Sequence, residues 1–265
     1  MIYCNLVGGL GNLLFQVAAV KSFSIDMGVE CSFPNLRSHY DYMNIDSQYN
    51  PYLRHSHEYD IMLNKLITTP PLTQLPTIQY PFEYSSLIPH DNAMIFGFFQ
   101  SEKYFKHNRE KLSEFTKVPE LINDVIKNKY SDILAKRTTS IHVRRGDYVR
   151  FPNHHPMQSI EYYLNGIELL KDKTDVFVIF SDDIEWCKAN LNIENAIYIE
   201  NEKDYIEMYL MSLCNNNIIA NSSFSWWGAW LNENINKTVI GPKNWFGDAI
   251  QHNTGDILPE TWIKL

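Results

Sequence analysis

A chain of 265 residues, 45% of them hydrophobic, is long enough for one large domain or two of moderate size. Its formal net charge of −8 argues against a nucleic-acid surface, because binding a phosphate backbone normally goes with a basic patch. No stretch approaches the roughly 20 apolar residues that span a bilayer, and Met1-Ile2-Tyr3-Cys4-Asn5 lacks a basic region followed by an apolar one, so a cytoplasmic location is expected.

Residues 2–6 read as a short apolar strand, Gly8-Gly9-Leu10-Gly11-Asn12 as a glycine turn, and residues 13–27 as the helix it opens. The order matches a dinucleotide fingerprint. Leu14 stands where its third glycine belongs, however, and no acidic residue closes a following strand in register, so a nicotinamide site fits poorly. Between Phe33 and Pro89 the chain is dense in Tyr, His, Pro and Asn, and Pro70-Pro71, Pro76, Pro81 and Pro89 break any long helix. This stretch is read as irregular structure facing an acceptor. Residues 93–99 follow as a strand, then 102–115 and 120–134 as helices.

From there, apolar β-branched strands at 140–143, 176–180, 196–199, 217–220 and 238–240 alternate with helices at 159–171, 183–191, 204–214 and 223–232. Such alternation predicts a parallel sheet with right-handed crossovers. The division expected is an N-terminal domain at 1–135 and a C-terminal domain at 136–265. Cys4, Cys31, Cys187 and Cys214 show no Cys-x-x-Cys pair or His spacing for zinc, and a reduced structural role is expected.

Ligands of such sheets sit at the carboxyl ends of the strands, and there the polar motifs fall. His142-Val143-Arg144-Arg145-Gly146-Asp147-Tyr148 closes the first strand of the second half. Paired guanidiniums offer planar forks that match diphosphate oxygens, and Gly146 lets the backbone approach a ligand. The bland alternative is a solvated turn with Asp147 as ion-pair partner of the arginines. Ser181-Asp182-Asp183 follows the next strand; its aspartates are adjacent rather than spaced as Asp-x-Asp, and no metal site is read there. Asn221-Ser222-Ser223-Phe224-Ser225 opens the last helix, where unsatisfied N–H groups and hydroxyls favour an anion. Trp226, Trp227 and Trp230 are assigned mainly to packing.

Four blocks together resemble the α-1,2-fucosyltransferases of glycosyltransferase family 11, part of a wider group with the α-1,6- and protein O-fucosyltransferases. They are the turn at residues 8–12, the run at 142–148, Phe180-Ser181-Asp182-Asp183-Ile184-Glu185-Trp186, and the segment from Tyr209 to Trp230. The resemblance implies an α/β, GT-B-like fold with two facing Rossmann-like domains and a cleft between them. It implies inverting transfer of L-fucose from GDP-fucose to a galactoside hydroxyl of an acceptor glycan, forming an α-1,2 linkage, with no metal and no cofactor beyond this co-substrate.

By the same resemblance, Gly11 and Asn12 approach the sugar diphosphate, and Leu13 replaces the glutamine many relatives carry, so nothing rests on that position. His142 lies against the nucleotide, Arg144 grips the departing β-phosphate, and Arg145 buttresses the loop through Asp147. Asp182 belongs to a structural or nucleotide-side pair. Glu207, where relatives often have aspartate, accepts the guanine N1 and N2 hydrogens. Asn221, Ser222, Ser223 and Ser225 cradle phosphate, and His154 and His155 face the acceptor. The catalytic base stays open among Asp147, His154 and His155, with Asp147 preferred and a dissociative route without a strong base also open. The competing classes are a fucosyltransferase of different linkage, a nicotinamide-dependent epimerase or reductase, and a non-catalytic carbohydrate-binding module.

Overall fold

The computed structural model describes residues 1–49, 55–90 and 92–265, which divide into two compact units. The first contains residues 1–49, 55–117 and 252–259, and the second residues 118–251 and 260–265. The boundary therefore precedes the helix Glu120–Leu134, which packs in the second unit, and a late segment returns to the first. Stacking of His252 on Phe82 at 4.6 Å and 6°, and an ion pair from Lys103 to Asp256, hold that segment.

In the first unit β1 (Ile2–Cys4) leads through a turn to α1 (Leu10–Met27), β2 (Cys31–Ser32), α2 (Leu36–Tyr49) and α3 (Asp60–Leu63). Then come β3 (Thr77–Gln79), β4 (Ala93–Phe96) and α4 (Ser113–Thr116). The strands form a parallel sheet in the order β2-β1-β4-β3. Helix α1 is apolar nearly all round, and Leu13, Phe15, Val17, Ala18, Ala19 and Val20 are fully excluded from water, as befits a core helix.

Two expectations are corrected here. The stretch between Phe33 and Pro89 is not merely irregular, since it contains α2, whose Leu36, Tyr40 and Met43 recur at helical spacing and are buried. Residues 50–54 of that stretch lie outside the described residues. The helix read at 102–115 is instead a pair of 3₁₀ turns, Glu102–Tyr104 and Lys106–Asn108, followed by α4. Phe105, buried between the two turns, takes φ −145°, outside the helical range, so no continuous helix runs through it.

The second unit begins with α5 (Glu120–Leu134) and β5 (Thr138–Val143), then α6 (Ile160–Leu170), β6 (Val176–Ser181), α7 (Ile184–Asn190) and β7 (Ala196–Tyr198). It continues with α8 (Asp204–Leu213), β8 (Asn216–Ile218), α9 (Ser223–Leu231), β9 (Val239–Gly241) and β10 (Ile263–Lys264). All pairings are parallel, in the order β10-β9-β8-β5-β6-β7. This is the doubly wound Rossmann order, and the expected alternation is present with bounds shifted by a residue or two. Helix α6 starts where Ser159 Oγ accepts the Tyr162 N–H at 3.1 Å.

One face of this sheet packs Ile141, Val143, Ile179 and Ile218 against Tyr162, Tyr163, Leu170 and Cys187. Each such side chain removed from water contributes roughly 1.5–3 kcal/mol for the larger apolar residues. Polar residues in the fully buried β5 pair locally: Thr139 with Thr174 at 2.6 Å, Ser140 with Asn217 at 2.7 Å. Trp226, Trp227 and Trp230 are core, as expected. Among the described residues no helix is long and apolar enough to cross a membrane.

Candidate functional site

Strand β5 is the point from which the chain winds outward to β6 and β7, and then back to β8 on its other side. Loops leaving neighbouring strands diverge at such a switch point and leave a crevice at their carboxyl ends. The arginine run follows β5 and the asparagine-serine run follows β8, so the fold brings these two motifs together. Tyr148 closes the join by donating its hydroxyl to the Asn221 carbonyl at 2.8 Å.

Arg144 sits between two carboxylates, with Asp147 at 2.6 Å and Asp182 at 2.7 Å, and lies 5.5 Å from the Tyr148 ring centroid. Burial disfavours its charge, but these carboxylates more than offset it and hold the guanidinium above its ordinary pKa. Asp182 accepts the Arg145 N–H at 2.9 Å, and burial pushes its own carboxyl upward against the pull of Arg144.

The expected pairing of Arg145 with Asp147 is corrected. Arg145 Nε donates to Asp183 at 2.9 Å, and its guanidinium lies 4.0 Å from the Trp186 ring centroid. Asp183 in turn caps α7 by accepting the Trp186 N–H at 3.2 Å. The two guanidiniums thus have separate carboxylate partners, and Asp147 belongs to Arg144.

His142 is 4% exposed, with its ring 5.5 Å from Phe224 in the first turn of α9. Burial, aided by Arg144, lowers its pKa to about 3, so the imidazole is neutral at any ordinary pH. Its Nδ1 has no partner among the described residues.

The last motif divides. Among the described residues no side chain caps α9, whose N-cap residue is Ser222, so its first amides and the Ser222 and Ser223 positions fit an anion. Asn221 does not fit the phosphate role read for it. Its Nδ2 donates to the carbonyls of Pro156 (3.0 Å) and Trp245 (2.9 Å), and its Oδ1 accepts from Gln158 at 3.0 Å. Ser225 is fully buried and turned to the carbonyls of Ala220 and Ser222, and it too is structural.

Glu207, in the first turn of α8, is half-buried. Burial raises its pKa well above the usual carboxyl value, and the charges of Asp204, Glu202 and Asp182 add to the shift. His155 stacks on Tyr148 at 4.9 Å and 17°, leans on Phe246, and has an Nδ1 without a hydrogen-bond partner among the described residues; burial lowers its pKa. His154 is exposed beside Phe151. Both histidines lie on the loop that follows the arginine turn.

Gly11 and Asn12 lie in the first turn of α1, in the first unit. Gly8 takes φ +87°, and a Cβ there would fall 2.5 Å from Asn12 Nδ2, so both the dihedral and the approach of Asn12 require glycine. Sequence reasoning missed Tyr148, Gln158, Trp186 and Phe224. Tyr148, Trp186 and Phe224 lay within the motifs, but their ring contacts depend on the tertiary fold.

A doubly wound sheet with cationic and helix-start groups at its switch point suits an anionic ligand, and the fold is that of GT-B-like fucosyltransferase structures. Fucosyltransferase NodZ from Bradyrhizobium superposes with TM-score 0.52 at 13% identity, over 86% of this chain and 92% of that one. A GDP complex of an Arabidopsis thaliana FUT1 mutant gives TM-score 0.51 at 13% identity, over 92% and 71%.

The chain belongs to glycosyl transferase family 11, whose sequence model matches residues 76–265. It is 34% identical to an alpha-1,2-colitosyltransferase of Escherichia coli, over 100% of this chain and 99% of that protein. It is 29% identical to the O-antigen biosynthesis glycosyltransferase WbnK of Escherichia coli, over the full length of both. A galactoside alpha-(1,2)-fucosyltransferase 1 of Leontocebus fuscicollis is 26% identical over 51% of this chain and 42% of that protein.

Proposed function

We propose that this glycosyltransferase moves L-fucose from GDP-fucose to the 2-hydroxyl of a galactoside in an acceptor glycan, with inversion at the anomeric carbon. The observation that carries this reading is Arg144, fixed at the end of β5 beside the switch point and tied through Tyr148 to the uncapped start of α9. Relatives named for alpha-1,2 colitosyl and fucosyl transfer support the linkage.

Departure of GDP places negative charge on the β-phosphate. Arg144 and the α9 amides are preorganised donors for that charge, each typically worth about 3 kcal/mol in the transition state. Asp147, the more exposed partner at 40% against 9% for Asp182, is the one an incoming diphosphate displaces. A carboxylate 2.6 Å from the phosphate-gripping arginine stands on the leaving-group side, whereas a base must stand on the acceptor side. Asp147 therefore holds Arg144 only until the diphosphate arrives, Asp182 orients it thereafter, and the displacement proceeds through an oxocarbenium-like transition state without a strong base from the arginine run. Glu207 reads guanine once its carboxyl is ionised.

A second donor is favoured by the full-length similarity to the colitosyltransferase. Colitose lacks the 3-hydroxyl of fucose. A site that hydrogen-bonds this hydroxyl rejects the deoxy sugar by about 10⁴-fold or more, whereas an apolar pocket discriminates far less. Rates with GDP-fucose and GDP-colitose on lactose, in the presence of a chelator, test the proposal. Transfer of fucose to the galactose 2-hydroxyl at a rate insensitive to chelator is expected. Turnover of UDP-sugars alone, or strict dependence on added manganese, would refute it.

A further inference from the structure

The first unit has a switch point of its own. Its chain winds from β1 to β2 on one side, and β4 lies on the other, so the loops after β1 and β4 diverge at neighbouring strand ends. The loop after β1 is pinned residue by residue by side chains. Asn35 exchanges two hydrogen bonds with the Leu6 backbone at 2.7 and 2.8 Å. Gln16, fully buried, does the same for Val7 at 3.0 and 2.8 Å, and His39 Nε2 lies 2.8 Å from the Gly8 carbonyl.

Across the switch point, Gln100 Nε2 donates to Asn12 Oδ1 at 2.8 Å. Gln100 is 7% exposed, and its Oε1 is buried with no partner among the described residues. The backbone that delivers it is bent against its preference: Phe99, fully buried, sits at φ +52°, and a Cβ on Gly97 would meet its ring at 2.9 Å. Strain and an orphaned buried acceptor persist where the surrounding structure enforces a functional geometry. Meanwhile α1 begins with no side-chain cap and no acidic residue in its first turn, and Asn12 Nδ2 makes no hydrogen bond among the described residues.

We infer that Gln100 is a positioning residue: by donating to Oδ1 it fixes which end of the Asn12 carboxamide is held, and so leaves Nδ2, beside Gly8 at the start of α1, to donate to a substrate oxygen. The inference rests on the proposed transfer from a nucleotide diphosphate sugar. An amide in this place fixes which end of Asn12 is presented. A carboxylate would reverse it, because Asn12 would then turn Nδ2 inward to the charge.

Kinetics of the full chain with GDP-fucose and lactose test the idea through Gln100→Leu, Gln100→Glu, Asn12→Ala and the Asn12→Ala/Gln100→Leu pair. Each Gln100 variant is expected to lower kcat about 10- to 100-fold, as misplacement of a reacting group does, with little change in acceptor KM or melting temperature. The nearly isosteric Gln100→Glu serves if Gln100→Leu folds poorly. In the Asn12→Ala background the Gln100→Leu loss should vanish, because the residue acts only through Asn12. Near-normal turnover of both Gln100 variants, or an undiminished loss in the Asn12→Ala background, overturns the inference while wild-type activity upholds the transfer. If the wild type transfers nothing, the transfer reading fails, and side-chain amide exchange still decides the pair: slow exchange of the Gln100 amide protons, lost in Asn12→Ala, supports it, and fast exchange in the wild type refutes it.

Discussion

Arg144 keeps its charge in a half-enclosed position because Asp182 and Asp147 stand on either side of it. A lysine there keeps one charge but loses the planar fork that can hold carboxylate and phosphate together. Arg144→Lys is expected to lower kcat about 10²–10³-fold, the scale seen when one preorganised donor is removed. Steady-state kinetics check this, and turnover equal to wild type would remove Arg144 from the mechanism. Glu207 makes a different prediction. Its raised pKa favours the protonated form in the empty protein, whereas guanine presents two donors and needs the ionised form. GDP binding should therefore release a proton, and affinity should strengthen as pH rises. Calorimetry in buffers of different ionisation enthalpy measures the release, which should disappear in Glu207→Gln and with ADP.

At the scale of elements, the site is built from short loops held by side chains rather than by longer strands or helices. Asn221 ties the β8–α9 turn to the carbonyls of Pro156 and Trp245 and to Gln158. Its replacement by alanine takes this donor from the buried Trp245 carbonyl and the part-buried Pro156 carbonyl, and Asn221→Ala is expected to cost about 2–4 kcal/mol in urea denaturation. The sequence marked this asparagine as functional because its position after a strand suits a phosphate ligand equally well. Only its surroundings distinguish a brace from a ligand. Gly8→Ala forces a left-handed residue and drives a methyl into Asn12; a loss of about 1–2 kcal/mol from the backbone alone is expected, with turnover falling as Asn12 moves. Wild-type activity in Gly8→Ala would show that the placement of Asn12 is immaterial.

For the whole molecule, the buried carboxyls of the second unit set a pH dependence. Glu207 and Asp182 both have folded-state pKa values above their ordinary ones. The folded chain therefore holds protons that the unfolded chain releases, and this contribution is full below the unfolded pKa of about 4 and is lost as pH rises through the raised values. The ligand-free protein is expected to lose more melting temperature than its Glu207→Gln variant as pH rises above the ordinary carboxyl range. Glu207→Gln should flatten this slope, and an unchanged slope would show that Glu207 titrates normally. The parallel sheet of the second unit was legible because its strands are short, apolar and evenly spaced by helices with an amphipathic period. Helix α2 was not, because aromatic and polar residues masked the buried positions Leu36, Tyr40 and Met43. Strand–helix alternation and the type and order of the motif residues determined the fold class and the arginine and serine loops, since those follow from local propensity and from the rule that strand ends bind ligands. Partner choice was decided only in three dimensions: Arg144 takes Asp147 and Asp182, Arg145 takes Asp183 and Trp186, and Gln100 reaches Asn12. Those contacts join residues that strand order and backbone bends bring together, and distance along the chain carries no record of them.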